Sequence, residues 1–437
     1  SARGTRRIRI QGRTISHNIV SMAAAHYDRF SANRLLEALA DTPVVALNGA
    51  RQVGKSTLVG ELARSMAEPV RIVTLDDQTQ LEAAMADPAA FVDHRGLLVI
   101  DEVQRAPGLL PAIKAEVDRD RRPGRFLLTG STRLLSLAEM SASLAGRVEV
   151  IDLWPLSQGE LGRRREGFID ALLTWSTELR HTSEVEPDAY TERICGGGFP
   201  EPLTRSGRRR SAWFDNYATT VVERMVIDTV GIERADMLPR LLRLCAARTS
   251  NELNITALAN DAAMPERTVS AYLGHLQRVF LIQLLPAWSR NLTSKVAHRP
   301  KVFLTDTGLA ADLLGVDSSS LTLPSGPLGS LLETFVTVEL RKQQAWASST
   351  VDIFHFRDRG GTEVDLVLEA RDGRVAGIEV KAARSVAGSD FKGLRLMRDR
   401  LGDQFVGGVV LYRGQQTVPF GENLLAVPVA ALWELPG

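Results

Sequence analysis

Gly49-Ala50-Arg51-Gln52-Val53-Gly54-Lys55-Ser56-Thr57 is the stretch on which the fold turns. Its first eight residues satisfy G-x-x-x-x-G-K-[ST] at every fixed position. Upstream, Pro43-Val44-Val45-Ala46-Leu47 is a short apolar run fit for a strand buried on both faces. Downstream, Leu58 through Met66 reads as a helix. In a strand, loop and helix of this kind, glycines let successive backbone N–H groups curl around phosphate oxygens. The helix N-terminus adds positive potential. Gly49 through Thr57 are therefore the expected nucleotide-binding residues. Lys55 reaches the β- and γ-phosphates and the Ser56 hydroxyl holds Mg²⁺.

A second apolar strand, Leu97-Leu98-Val99-Ile100, ends in Asp101-Glu102. An acid at the carboxyl end of such a strand is placed to hold the metal through water, which is the expectation for Asp101. Glu102 is the expected general base that polarises the attacking water. A further strand, Val70 to Leu75, lies between these two in the sequence, and Arg125-Phe126-Leu127-Leu128-Thr129-Gly130-Ser131 follows them. An interposed strand together with a catalytic Glu resembles the additional-strand ATPases. Thr129 or Ser131 would then sense the γ-phosphate or the water; a helix-capping role is the alternative for each.

The blocks GARQVGKSTL, VTLDD, LLVIDEVQRAPGLLPAIK, FLLTGSTRLL and LAGRVEVIDLWPLSQGEL resemble an AAA-type ATPase family of bacteria and archaea whose members carry a C-terminal domain of unknown function on a nuclease-like scaffold. The resemblance extends over residues 27–437 and implies ATP binding and hydrolysis with Mg²⁺. Within LAGR, Arg147 is the candidate for stabilising charge on the γ-phosphoryl group, with Arg133 and Arg224 as competitors. The resemblance leaves open whether that arginine acts within its own chain or on a neighbour.

The middle third is helical. Gly196-Gly197-Gly198-Phe199-Pro200 reads as a turn cluster and a linker or hinge. Trp213 and Tyr217 recur at helical spacing, which marks core packing. Leu253 to Ala259 followed by Met264 to Leu273 has helix-turn-helix phrasing, with Thr256 capping the first helix, Pro265 opening the second and Leu276 to Leu285 supplying wing strands. Arg267, Thr268 and Ser270 would face a DNA major groove in such a winged helix; a lid or protein contact is the other use of such a module. Residues 190–295 carry 14 basic and 10 acidic residues, a modest bias toward nucleic acid.

The last third alternates strands and glycine turns. Val351 to Phe356 and Glu363 to Leu368 flank Arg359-Gly360-Gly361 as a hairpin, and Val375 to Lys381 is a third strand with Glu379 and Lys381 on one face. Glu333 lies upstream on a helix spanning Leu331 to Gln343. The set Glu333, Asp365, Glu379 and Lys381 resembles the PD-(D/E)xK nuclease superfamily, in which acids bind Mg²⁺ and the lysine activates water. Val364 stands where that motif has Pro. A structural salt-bridge network between strands is the alternative. Residues 296–437 hold 15 basic and 17 acidic residues, a poor grip on a polyanion.

The whole chain has 437 residues, 53 basic and 52 acidic, so no global attraction to nucleic acid or membrane arises. Only Cys195 and Cys245 occur, which excludes a disulfide scaffold and suits a reducing cytoplasm. No apolar run is long enough to span a membrane. Residues 1–26 form a basic leader expected to be disordered, with an Arg-rich nucleic-acid arm as the other reading. The expected organisation is α/β: an AAA-type P-loop domain over 27–162, a helical middle with a winged-helix-like module over 163–295, and an α/β restriction-endonuclease-like domain over 296–437. The expected function is an Mg²⁺-dependent ATPase whose cycle moves the other two domains. An ATP-regulated nuclease acting on DNA or RNA, or an ATP-binding switch with an inactive nuclease-like domain, is the alternative. A protein partner or a second copy of the chain is compatible with each.

Overall fold

The computed structural model describes residues 8–10, 13–15, 27–67, 70–134, 144–228, 235–289 and 299–437. Two short strands are described within the leader. β1 (Ile8–Ile10) pairs antiparallel with β2 (Arg13–Ile15) in the register Ile8↔Ile15. β-branched residues concentrate there, which favours extended backbone. The rest of the leader lies outside the described residues.

The front of the chain builds a parallel sheet from β3 (Val44–Asn48), β4 (Val70–Thr74), β5 (Leu97–Asp101), β6 (Phe126–Gly130) and β7 (Val148–Asp152), in the order β4-β5-β6-β3-β7. Every neighbouring pair is parallel. β3 and β6 are buried along their whole length. Their side chains alternate between two cores: Val45, Leu47 and Leu127 face one, while Val44, Ala46, Phe126 and Leu128 face the other. The strand between the phosphate loop and the Asp-Glu strand is thus β6. Sequence order suggests Val70–Thr74, but β4 sits at the sheet edge, because parallel crossovers free spatial order from chain order.

In the middle, helices Pro187–Gly196, Gly207–Asp228 and Leu238–Ala247 precede the pair Ile255–Ala262 and Glu266–Arg278. Asn254, not Thr256, caps the first of that pair: its Oδ1 accepts the Ala257 N–H at 3.1 Å. The second helix runs on to Arg278, so Leu276 to Leu285 supplies one strand only, β8 (Ile282–Leu285). Its antiparallel partner is β9 (Lys301–Leu304). The expected boundary at 295/296 therefore falls between the two strands of one sheet.

Gly196 to Phe199 is a packed junction and not a hinge. A Cβ on Gly198 would stand 2.3 Å from the Leu156 carbonyl oxygen, while the Gly198 N–H donates to buried Asp306 at 2.7 Å. Asp306 also caps helix Thr307–Leu313 through the Leu309 N–H. Its carboxyl is pushed up by burial, against Lys342 and the amides it accepts from.

The C-terminal sheet runs β10-β11-β12-β13-β15-β14, built from β10 (Val351–Arg357), β11 (Glu363–Ala370), β12 (Val375–Lys381), β13 (Phe405–Tyr412), β14 (Val418–Pro419) and β15 (Leu424–Pro428). β10, β11 and β12 form an antiparallel meander, and β12, β13 and β15 are parallel. Helices Leu328–Gln343 and Lys392–Leu401 pack on it. Residues following the P-loop region are tied to this sheet: the Gly167 N–H donates to Leu435 O at 3.0 Å and the Ser183 N–H to Gln415 O at 2.8 Å. One hydrophobic cluster includes Leu47 and Leu127, Phe214 and Leu276, and Leu331 and Ile378.

Candidate active site

The phosphate loop joins β3 to helix Lys55–Ser65. Gly49 is required by close approach, since a Cβ there would lie 2.4 Å from the Leu153 carbonyl oxygen. Gln52 and Gly54 take positive φ, 62° and 99°, as a loop that turns its amides inward demands. Lys55 is buried, and its ammonium donates to Gly49 O at 2.8 Å and Ala50 O at 3.0 Å. Burial pulls its pKa down from 10.5 to about 8, with Glu102 and Asp101 opposing and Arg51 adding to the fall.

Asp101 ends β5 one strand beyond β6, and three hydroxyls converge on it. Ser56 Oγ and Thr74 Oγ1 each donate to Oδ2 at 3.4 Å, and the Thr129 hydroxyl donates to Oδ1. This is a set of hard oxygen donors from β3's loop, β4, β5 and β6, of the kind that suits Mg²⁺. Glu102 follows in the left-handed region, φ 58°, an uncommon conformation for a side chain of its type. Its Oε2 accepts from Ser131 Oγ at 2.8 Å and from the Gln104 amide, which also donates to Ser131 Oγ at 3.2 Å. Lys55, Ser56, Asp101, Glu102 and Ser131 are thus gathered at the carboxyl ends of β3, β5 and β6. Thr129 serves Asp101 and Ser131 serves Glu102.

Arg147 does not join the cluster of its own chain. It precedes β7, whose first residue Val148 pairs with Val44, so it stands at the opposite end of the sheet from the loop after Asn48. Its guanidinium is paired with Asp118, Nη2 to Oδ1 at 2.7 Å. Arg133 pairs with Asp152 at 3.4 Å and lies over the Phe280 ring, 4.7 Å from its centroid. The side chain of Arg224 lies outside the described residues. Within the chain, the arginines that line the cleft over the loop are instead Arg29, Arg51 and Arg205.

That cleft, about 750 Å³, exposes what the local motifs miss. Arg29, just ahead of helix Ser31–Asp41, donates to Val53 O at 2.8 Å, to Trp154 O at 2.6 Å and to Glu160 Oε1 at 3.0 Å, bracing the loop. Asn216, Trp213 and Tyr217 of helix Gly207–Asp228 form the facing wall. Trp213 and Tyr217 stack with centroids 5.0 Å apart, which fits the core reading of their spacing. Their place on the cleft has no local sequence signal, because it rests on packing against a separate segment: the Phe199 ring centroid lies 5.5 Å from that of Trp213 and 4.8 Å from that of Tyr217.

A second cluster forms at the C-terminal sheet. Lys381 Nζ meets Glu379 Oε1 at 2.9 Å, and Asp365 Oδ2 accepts the Val380 N–H at 2.9 Å. Glu333 approaches from helix Leu328–Gln343. All four expected residues come together, and a fifth, Lys301 of β9, joins them. Its ammonium reaches Glu333 Oε1 at 2.6 Å and Asp365 Oδ1 at 3.5 Å. Burial works against charge on Lys301, yet Glu333 and Asp365 hold its pKa above the usual value. Burial, then Asp365, pushes the Glu333 carboxyl up, and Lys301 opposes this. Among the described residues, no group of three or more His, Cys, Asp or Glu side chains is arranged to hold a metal ion.

Comparison with known proteins follows this division. Residues 41–162 match a family model described as an AAA domain, residues 187–320 one described as a domain of unknown function (DUF8612), and residues 328–432 another (DUF4143). Uncharacterized protein Rv2008c of Mycobacterium tuberculosis is 32% identical over 406 residues, covering 92% of this chain and 83% of its own. An uncharacterized protein of Haemophilus influenzae is 21% identical over 253 residues, 56% of this chain and 57% of that one. The Walker-type ATPase paby2304 of Pyrococcus abyssi aligns over 66% of this chain and 96% of its own, at 15% identity and a TM-score of 0.42. Among the described residues no helix is long and apolar enough to cross a membrane. The chain belongs to the family of the mycobacterial protein, and its front third is an AAA-type P-loop ATPase domain.

Proposed function

We propose that this protein binds ATP on the Gly49–Thr57 loop and hydrolyses it with Mg²⁺. The observation that carries the reading is the meeting of Lys55, Ser56, Asp101 and Glu102 from separate segments at one end of the sheet. In this mechanism the loop amides and the N-terminus of helix Lys55–Ser65 hold the β-phosphate. Lys55 leaves the Gly49 and Ala50 carbonyls for the phosphate oxygens. Ser56, with Asp101 behind it, would hold Mg²⁺, which neutralises phosphate charge and orients the chain of phosphoryl groups. Glu102 takes a proton from water as the water oxygen bonds to the γ-phosphorus; the bond to the β–γ bridging oxygen breaks and ADP leaves. Ser131 and Gln104 aim the Glu102 carboxylate.

Coupling to the rest of the molecule runs through the cleft wall. Asn216, Trp213 and Arg205 face the loop from segments beyond residue 200, so the filling and emptying of the cleft bears on helix Gly207–Asp228. The helix pair Ile255–Ala262 and Glu266–Arg278 with β8 and β9 supports a winged-helix-like reading, and Arg267 and Ser270 are exposed. In that reading this face meets DNA or a protein.

Lys55→Ala and Asp101→Ala, each purified as full chain, test the proposal. Phosphate release from ATP with Mg²⁺ should fall at least about 100-fold in both. Release that survives both substitutions rejects it.

A further inference from the structure

The acidic cluster of the C-terminal sheet suggests a divalent cation from sequence, yet the residues present do not fit one. Glu333 and Asp365, two of the three carboxylates that would share the ion, converge instead on the ammonium of Lys301, at 2.6 and 3.5 Å. Glu379 is turned to Lys381 at 2.9 Å. The three acids are therefore met by two lysines, one of them from a strand that the motif does not include.

We propose that Lys301 is an internal cation standing where a divalent metal would sit, so that the cluster joins β9 to the C-terminal sheet and binds no metal. Buried carboxylates left without a cation are costly, whereas an ammonium on two of them supplies the neutralisation that a metal would. The lysine cannot withdraw easily. Its backbone pairs with Leu285 of β8, and the next residue donates Val302 N–H to Asn251 O at 3.0 Å. Val302, Phe303 and Leu304 are fully buried. Thr249 and Thr334 hydrogen-bond at 2.8 Å, which ties the Thr249–Asn251 segment beside β9 to the helix bearing Glu333. The buried strand fixes the Cα of Lys301, and its side chain is itself only 6% exposed. A latent site remains beneath it: Glu379 Oε2 is buried without a hydrogen-bond partner, an acceptor ready for an ion once the ammonium is gone.

The test is Mn²⁺ binding to the nucleotide-free full chain, followed by the electron paramagnetic resonance signal of free Mn²⁺. Wild type and Asp365→Asn should titrate alike. Lys301→Met should gain one site, binding Mn²⁺ at least tenfold more tightly than wild type, and Lys301→Met/Asp365→Asn should lose it. Mn²⁺ should raise the melting temperature of Lys301→Met alone. The inference is overturned if wild type binds one Mn²⁺ that Asp365→Asn abolishes, or if Lys301→Met with a native circular dichroism spectrum gains none. Should Lys301→Met fail to fold, the wild-type and Asp365→Asn titrations still decide: a difference between them refutes the inference, and identity sustains it. Mg²⁺-dependent cleavage of labelled DNA or RNA by wild type, lost in Asp365→Asn, refutes it equally.

Discussion

Glu102 is held in a backbone conformation that its residue type adopts reluctantly, φ 58°, with Ser131 and Gln104 both on one carboxylate oxygen. Other side chains of the chain, Phe280 and Ala263 among them, also take this conformation, so the hydrogen bonds on the carboxylate, not the backbone alone, single Glu102 out. If it is the general base, Glu102→Gln should lower steady-state phosphate release by about 100-fold or more, while nucleotide affinity changes by less than about threefold. Titration with a fluorescent ATP analogue and a phosphate-release assay separate the two. Glu166 shows a different residue-scale effect. Burial first, then Glu339, raises its carboxyl from 4.5 to about 8, although it accepts the Gly159 N–H at 2.7 Å. The folded chain keeps this proton between those two values and the unfolded chain has released it, so stability falls as pH rises from 4.5 to 8. Glu166→Gln mimics the protonated carboxyl. It should be more stable than wild type at pH 9, by on the order of 2 kcal/mol, and about equal near pH 4. Urea denaturation at the two pH values checks this.

The decisive elements are those that the glycine junction places. Gly198 lies against the Leu156 carbonyl, with no room for a side chain, and the segment after it carries Pro200 and Glu201 onto the nucleotide cleft. Gly198→Ala must push backbone against backbone, a cost of about 1–3 kcal/mol. Both the melting temperature and nucleotide affinity should fall. Gly162→Ala, where nothing lies within 4 Å of the added carbon, should leave both nearly unchanged. The β8–β9 pair makes a related point. Read as a string, Leu276 to Leu285 supplies both wing strands. In space a helix takes the first part and Lys301–Leu304 the rest, and that exchange brings Lys301 to the acidic cluster.

At the scale of the molecule, one of the hydrophobic clusters runs through all three textures of the sequence. The cluster containing Leu47, Phe214 and Ile378 continues from the P-loop sheet to the C-terminal one. Polar ties add to it: Lys342 Nζ donates to Leu156 O at 2.9 Å, and Glu339 accepts the Gln158 N–H at 2.8 Å. Thermal unfolding should accordingly be one cooperative transition, with calorimetric and van't Hoff enthalpies in agreement. Separate transitions near those of isolated segments would show that the core is divisible. Such a shared cluster also limits the proposed nucleotide-driven motion to shifts that keep it closed.

Much was legible from local pattern because its chemistry is contiguous. The phosphate loop, Asp101 and Glu102 at a strand end, and the meander bearing Asp365, Glu379 and Lys381 each depend on residues that are adjacent in sequence or one hairpin apart, where backbone geometry follows from spacing. Spatial strand order, the displacement of Arg147 to the far end of the sheet, the bracing by Arg29 and the wall formed by Trp213 and Tyr217 depend on which distant segments share a buried surface. Lys301 is the sharpest case: it lies 32 residues from Glu333 and 64 from Asp365. The sequence by itself determined where phosphate chemistry is possible. Only the tertiary structure decided that the second acidic site already holds its cation, because burial, not spacing, selects the charge that neutralises it.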